Sequence, residues 1–368
     1  MNNAELILDL DAYRQNLVVM RELAPNSQQM AIVKANAYGH GVAPCARAAR
    51  EIGAEWLGVA TPHEAFALRA LGDTGPILCW LATPGAPFRE LAEANIDVTA
   101  SSSAQLQEIM AADIQVRVHL KVDTGLNRNG APESEWVDFF ERAAIAQNHG
   151  KIHVVGLWTH FANADEPNHP ANDLQEQRFD QAVAMAAEYG ISPEWCHLAN
   201  SAAAATRPSA QRDLVRIGIA SYGINPDPQV KIDGLVPSLT ARAALARVKS
   251  IQPGDSVSYG WRWTATEPTT LGLVPVGYGD GIPRAASNRA EVRISGTRAP
   301  IRGTVCMDQF MIDLGDVPAK AGDWVTLFGS GESGEPTAED WAQALDTIGY
   351  EIVTRLSGRW TRAVRGER

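Results

Sequence analysis

Three observations predict an α/β fold for this 368-residue chain: an N-terminal (β/α)8, TIM-like barrel with a C-terminal mostly β domain. From the start to about residue 222, short β-branched apolar runs alternate with longer amphipathic segments, the rhythm of βα units around a parallel sheet. After Pro237 the rhythm changes to short strands separated by turn signals. The chain is also longer than the ~250–300 residues that one core usually serves. The expected division is residues 1–235 as the barrel and 236–368 as the β domain, with the first few residues packing on the β domain.

Eight runs supply the barrel strands: 31–33, 56–59, 77–80, 96–98, 116–122, 153–158, 197–198 and 214–216. Between them, residues 11–23, 62–71, 102–111, 133–146 and 170–189 carry apolar side chains at helical spacing, suited to covering the outside of a barrel. Polar and glycine residues collect just after the strands, at Lys34, Asp123-Thr124-Gly125, Thr159-His160, Asn200-Ser201 and Gly218. In a barrel that rim is the catalytic face. In the second half, turn signals stand at Gln252-Pro253-Gly254-Asp255, Gly279-Asp280-Gly281 and Ser295-Gly296. Thr337-Ala338-Glu339-Asp340 reads as a capped helix start, so one short helix is expected there.

Charge and composition exclude several functions. The net charge is −11, from 43 acidic against 32 basic residues, which argues against nucleic-acid or membrane-surface partners that need a positive face. No apolar run reaches the ~18 residues of a membrane span, and the start lacks the basic and apolar regions of a secretory signal, so a cytoplasmic location is expected. Cys45, Cys79, Cys196 and Cys306 are scattered, without zinc-binding pairs or disulfide density. Reduced thiols and no metal site are expected.

The most informative stretch is Val33-Lys34-Ala35-Asn36-Ala37-Tyr38-Gly39-His40-Gly41. A lysine at the end of a buried strand sits in a partly dry place, where a lowered pKa frees its amine to attack an aldehyde. A surface lysine beside a loop is the plain alternative, and for a lysine taken alone the better one. The whole nonapeptide, however, resembles the cofactor-attachment motif of bacterial alanine racemases. The resemblance recurs in order at His119-Leu120-Lys121-Val122-Asp123-Thr124-Gly125 with Arg128, at Trp158-Thr159-His160-Phe161, at His197-Leu198-Ala199-Asn200-Ser201 and from Val215 to Gly223. It continues through Val257-Ser258-Tyr259-Gly260, Gly277-Tyr278-Gly279-Asp280-Gly281, Cys306-Met307-Asp308-Gln309 and Gly349-Tyr350-Glu351.

That resemblance implies pyridoxal 5′-phosphate (PLP) as a Schiff base on Lys34. PLP acts as an electron sink when an α-proton departs, and a racemase then needs a base on each face of the planar centre. Lys34 is implied as the base for the D-enantiomer and Tyr259 as the base for the L-enantiomer. A phenol titrates near ~10, so Tyr259 needs a nearby cation. The family pattern supplies it through Arg216, facing the pyridine nitrogen, and His160, linking the arginine toward the tyrosine. Singly, His160 reads as a buried structural histidine and Tyr259 as an aromatic at a strand end.

Arg128 is implied to hold the substrate carboxylate, a task suited to the planar guanidinium, with Lys121 supporting it as a carbamate or beside a bound anion. From their residue types alone both read as surface charges. Tyr38, Ser201, Gly218, Ile219 and Tyr350 are implied around the phosphate, with Asn200 also at the cofactor. Taken singly, Ser201 reads as a helix N-cap and Gly218 as a turn glycine. Met307 is implied to offer its backbone N–H to the substrate, and Asp165, Tyr278 and Arg284 to narrow the entrance. Thr304 stands where many family members carry a larger basic residue, so a wider entrance is expected. Tyr259, Met307 and the entrance residues would reach the site from a second copy of the chain, making a homodimer obligatory.

The leading function is therefore interconversion of L- and D-alanine, supplying D-alanine for peptidoglycan. A serine or broad-specificity racemase is the alternative, since the residues do not measure the pocket around the methyl group. A non-catalytic PLP-binding barrel would lack the Tyr259 half, and a barrel-type PLP decarboxylase would carry a different signature around Cys306.

Overall fold

The computed structural model describes residues 4–367. Among them, eight strands form a parallel sheet: Gln28–Ile32 (β2), Trp56–Val59 (β3), Ile77–Cys79 (β4), Asp97–Ala100 (β5), Val116–Lys121 (β6), Ile152–Trp158 (β7), Trp195–His197 (β8) and Leu214–Ile217 (β9). Their order is β8-β7-β6-β5-β4-β3-β2-β9. The ends of that order meet: the Asp213 N–H donates to the Cys196 carbonyl at 3.2 Å and the Arg216 N–H to the Ala199 carbonyl at 3.0 Å. The barrel is thus nearly closed. Strands β3, β4, β5 and β9 are buried at every residue, as parallel strands must be when helices cover one face and side chains fill the other.

The expected helices form where their caps place them. Asp9 accepts from the N–H groups of Asp11 and Ala12 to start Leu10–Leu23, and Ser102 starts Ser103–Met110. Thr61 and Glu64 make a capping box for Pro62–Ala70. Pro170–Glu188 follows the expected span, and the segment at 133 opens with a 3-10 turn, Glu133–Glu135, before Trp136–Asn148. Three further helices, Val42–Glu51, Phe88–Glu93 and Ser201–Thr206, lie outside the expected set. The last two have only six residues each, too few to display a helical period. Strand β8 begins at Trp195 rather than His197, because Trp195 and Cys196 pair with Gly156 and Leu157 of β7.

The second sheet has nine strands among the described residues. They are Ala4–Asp9 (β1), Leu239–Ala244 (β10), Arg247–Ile251 (β11), Thr269–Val274 (β12), Glu291–Ile294 (β13), Thr297–Arg302 (β14), Phe310–Asp313 (β15), Trp324–Phe328 (β16) and Thr361–Arg365 (β17). β1 lies between β10, antiparallel, and β17, parallel, so the chain starts in this sheet before it enters the barrel. Ala4–Asp9 thus pairs within the second sheet, and residues 1–3 lie outside the described residues. The single helix expected in this half is two. Ala338–Leu345 starts at the Thr337 cap, and Gly349–Thr354 follows without a side-chain cap, which is why no start signal marks it. Among the described residues no helix is long and apolar enough to cross a membrane.

Candidate active site

A cavity of about 670 Å³ opens at the C-terminal ends of the barrel strands. It gathers Lys34, Lys121, Arg128, His160 and Arg216 with Tyr38, Asn200, Ser201, Gly218, Ile219 and Tyr350. Tyr259, Met307, Tyr278, Arg284 and Asp165 do not line it. Trp80, Trp158, Ser101 and Gln105 do, and of these only Trp158 belongs to a motif.

Lys34 does not end its strand but opens a tight turn just beyond it. Ala35, Asn36, Ala37 and Tyr38 all have φ between 51° and 54°, a left-handed turn made without glycine. L-residues oppose this by roughly 1–2 kcal/mol each, so other contacts must hold it. The Ala35 N–H donates to Oε1 of Glu64 at 2.6 Å, while Oε2 of Glu64 accepts from Ala60 and Thr61. Asn36 Oδ1 accepts from the Val42 N–H at 2.9 Å. The turn ends at Gly39, where a Cβ would lie 2.3 Å from the Val353 carbonyl oxygen. Glu64 is thus a brace of the lysine turn that the motifs do not mark, although its capping box with Thr61 is readable. Lys34 Nζ lies 5.6 Å from the Trp80 ring and 5.7 Å from the Tyr38 ring. Burial, then the Arg128 and Arg216 charges, lower its pKa against the opposing pull of Glu64. The free amine becomes easier to reach.

Another part of the cavity lining consists of hydroxyls and backbone N–H groups. Oγ of Ser201 accepts from the Gly218 N–H at 2.9 Å. Ser201 is not the helix cap: Asn200 is, accepting from the Ala203 N–H at 3.0 Å, so Ser201 is free to tie the short helix to the loop after β9. A Cβ at Gly218 would stand 2.7 Å from the Tyr38 hydroxyl. Burial raises the phenols of Tyr38 and Tyr350, so both stay protonated and can donate to an anion.

Arg216 also lines the cavity and is 5% exposed. Nη1 donates to Nδ1 and the carbonyl of His197, each at 3.0 Å, and Nη2 to the carbonyls of Leu198 and Thr159 and to Nδ1 of His160. No carboxylate compensates it among these partners. Burial pulls its pKa down to about 9, still a cation at neutral pH. Burial, then the Arg216 charge, hold His160 well below the ordinary imidazole value. Lys121 donates to the Asn129 carbonyl and sits 4.9 Å over the Trp158 ring. Burial and Arg216 bring its pKa down to about 8. Arg128 is exposed at the mouth and has no hydrogen-bond or ion-pair partner among the described residues.

Tyr259 stands on the β half, 74% exposed, with Trp261 at 77%, Met307 at 54% and Tyr278 at 44%. It borders a separate groove beside Cys306 and Met311. Ser258, just before it, has φ 64° and ψ −172°, a region other residues leave to glycine. Its Oγ donates to the Thr304 carbonyl at 2.6 Å, and Oγ1 of Thr304 donates to the Tyr259 carbonyl at 2.7 Å. Thr304 is 2% exposed and braces the tyrosine loop. Arg284 is exposed, while Asp165 is half-buried and close enough to Tyr350 to help raise its phenol.

Comparison with known proteins shows the family. The family model described as "Alanine racemase, N-terminal domain" matches residues 8–226, and "Alanine racemase, C-terminal domain" matches residues 238–364. The chain is 48% identical over 367 residues to the alanine racemase of Thermobifida fusca, covering 99% of this chain and 98% of that one. With that of Streptomyces coelicolor it shares 49% over 372 residues, covering 98% and 95%. Among solved structures, alanine racemase from D-cycloserine-producing Streptomyces lavendulae superposes with a TM-score of 0.97 at 48% identity, covering 100% and 98%. That from Corynebacterium glutamicum gives 0.89 at 39%, covering 99% and 100%.

Proposed function

The chain belongs to the alanine racemase family and catalyses the PLP-dependent interconversion of L- and D-alanine, and from that premise we propose a mechanism with two opposed bases, Lys34 and Tyr259. The observation that carries it is one cavity that gathers three parts: a lysine of lowered pKa, a carboxylate-free arginine, and a cluster of hydroxyls and N–H groups. Those parts fit PLP: an amine for its aldehyde, a hydrogen-bond donor for its pyridine nitrogen, and anion ligands for its phosphate.

When bound, the cofactor supplies the electron sink that takes up the charge left by the α-proton. Lys34 holds it and moves the proton of the D-enantiomer at Nζ. Tyr259 moves the proton of the L-enantiomer at its phenolic oxygen, from the opposite face. Arg216 would hold the pyridine nitrogen as a pure donor, and His160 would orient that cation toward the tyrosine. Tyr38, Asn200, Ser201, Gly218, Ile219 and Tyr350 bind the phosphate end. Arg128 and the Met307 N–H bind the substrate carboxylate, with Lys121, as a carbamate or beside a bound anion, steadying Arg128.

Tyr259 serves this cavity from a partner copy. The exposed patch of Tyr259, Trp261, Met307 and Tyr278 supports a homodimer, because solvent would otherwise meet four large side chains on one half. Asp165, Tyr278 and Arg284 border the entrance. Residues 1–235 act as the cofactor-binding unit, with β1 lent to the second sheet, and 236–368 as the covering unit. We assign the product D-alanine to cytoplasmic peptidoglycan precursors.

Borohydride reduction of the holoenzyme followed by peptide mapping tests the anchor. The reduced cofactor is expected on the peptide containing Lys34, and Lys34→Ala should lose the reducible yellow chromophore. A label on another lysine would overturn the assignment.

A further inference from the structure

Beneath the cavity, three side chains continue from Arg216 into the barrel, and none of them touches the space the cofactor would occupy. Nδ1 of His197 accepts from Arg216 at 3.0 Å. Nε2 of His197 lies 2.9 Å from Nδ1 of His119. Nε2 of His119 lies 3.4 Å from Oδ2 of Asp97, and these two buried atoms, which make no hydrogen bond with other groups or an aligned one with each other, are each other's facing polar group. Oδ1 of Asp97 accepts from Nε of Arg117 at 2.9 Å. The series runs from β9 at the catalytic face, through β8 and β6, to the first residue of β5. His197 and His119 are each 0% exposed.

The protons in this series have one arrangement. A guanidinium has donors only, so Nδ1 of His197 must present its lone pair to Arg216. A neutral imidazole carries one proton, which therefore sits on Nε2 of His197 and points at Nδ1 of His119. His119 must then accept at Nδ1 and carry its proton on Nε2, facing Asp97. A proton on Nδ1 of His119 would put two donors face to face at His197 or at Arg216. Burial and the Arg216 charge likewise keep His197 neutral.

The packing is built around these rings. Trp158 stacks on His197 with centroids 5.3 Å apart and planes 9° from parallel, and Trp56 meets His119 edge-on at 5.4 Å. At position 156 a Cβ would lie 2.0 Å from Nδ1 of His119, so Gly156 leaves the space that ring fills.

We propose that Asp97 is a positioning residue for the reaction: through His119 and His197 it fixes the lone pair that holds Arg216 in place. This rests on the reading that Arg216 faces the cofactor. Asp97 is the acceptor at the far end for the proton that this arrangement leaves on Nε2 of His119. With a donor in its place the two ends of the series conflict, and the opposite tautomers, with an N–H of His197 toward the guanidinium, compete.

The test uses the holoenzyme. In the wild type, ¹⁵N spectra of histidine-labelled protein should show unprotonated Nδ1 and protonated Nε2 for both His197 and His119. An Nδ1–H form of either, or a charged His119, overturns the proposal without any variant having to fold. In Asp97→Asn, Arg117 retains the amide oxygen, so the NH2 faces His119 and drives both rings to Nδ1–H. The cofactor absorption should shift and kcat should fall roughly 10- to 100-fold, with KM for alanine little changed, as when a ligand's supporting hydrogen bond is lost. Adding Arg117→Met lets the amide oxygen turn to His119 and should restore both signals. An unmoved spectrum and kcat in Asp97→Asn overturn the proposal. Arg216→Lys separates the two readings. If it too leaves the cofactor spectrum unmoved, the placement of Arg216 at the cofactor has failed. If it moves the spectrum while Asp97→Asn does not, the relay alone has failed.

Discussion

Arg216 donates from Nη2 to Nδ1 of His160 at 3.1 Å, so His160 keeps its single proton on Nε2 and accepts the cation without sharing its charge. The two side chains thus form a polar pair in which only the arginine carries charge. That arrangement suits a site that must lower the cost of a nearby phenolate without offering a second acid.

Burial of neutral imidazoles makes stability depend on pH. Burial holds His40 at about 4, and burial with the Arg216 charge holds His160 and His197 well below the ordinary value. The folded pKa is depressed, so the unfolded chain binds protons that the native state refuses. Stability is complete above ~6.5 and is lost as pH falls, by up to ~1.4 kcal/mol per pH unit for each such histidine. Urea unfolding should show a midpoint that drops steeply between pH 7 and 5, with His40→Asn lowering the slope. A flat midpoint over that range contradicts the neutral assignment.

Gly218→Ala should weaken cofactor retention. Its Cβ would stand 2.7 Å from the Tyr38 hydroxyl, so the ring must move away from the phosphate end. Overpacking of this kind costs ~1–3 kcal/mol, roughly tenfold to a hundredfold in cofactor affinity if the strain falls on the bound state. Equilibrium dialysis of the holoenzyme measures it, and Gly218→Ala with Tyr38→Phe should recover part of the loss. Unchanged affinity in Gly218→Ala would place the phosphate elsewhere.

How much of this was legible varies by residue. The residues that share the cavity are scattered between residues 34 and 350, most of them at or just after barrel strand ends, with Tyr350 from the helix Gly349–Thr354 of the second half, and the ordered motifs name them in series. The bracing was less visible. Glu64 acts on the Lys34 turn from another βα unit, and its capping box predicts only a helix start. Ser201 resembled a cap, but its neighbour Asn200 takes that bond. The left-handed turn at Ala35–Tyr38 has no glycine to announce it, since tertiary contacts impose it. One chain holds Tyr259 and Lys34 in separate cavities, so their proposed pairing calls on a second copy.

Lys121 should carry carbon dioxide as a carbamate. Carbamate forms from the free amine, and a pKa of about 8 leaves roughly a tenth of the side chain neutral at pH 7. With ¹³C-bicarbonate, the holoenzyme should show a carbamate carbon resonance that disappears in Lys121→Ala. A fully active enzyme with no such signal would favour a bound anion beside Arg128.

The two-base assignment is tested most directly by following deuterium exchange at the α-carbon separately for each enantiomer in Tyr259→Phe holoenzyme. Loss of a general base typically costs ~10²- to 10⁴-fold in rate. The account predicts that α-proton abstraction from L-alanine falls within that range, while exchange of D-alanine through Lys34 is largely kept. Equal losses for the two enantiomers would contradict it.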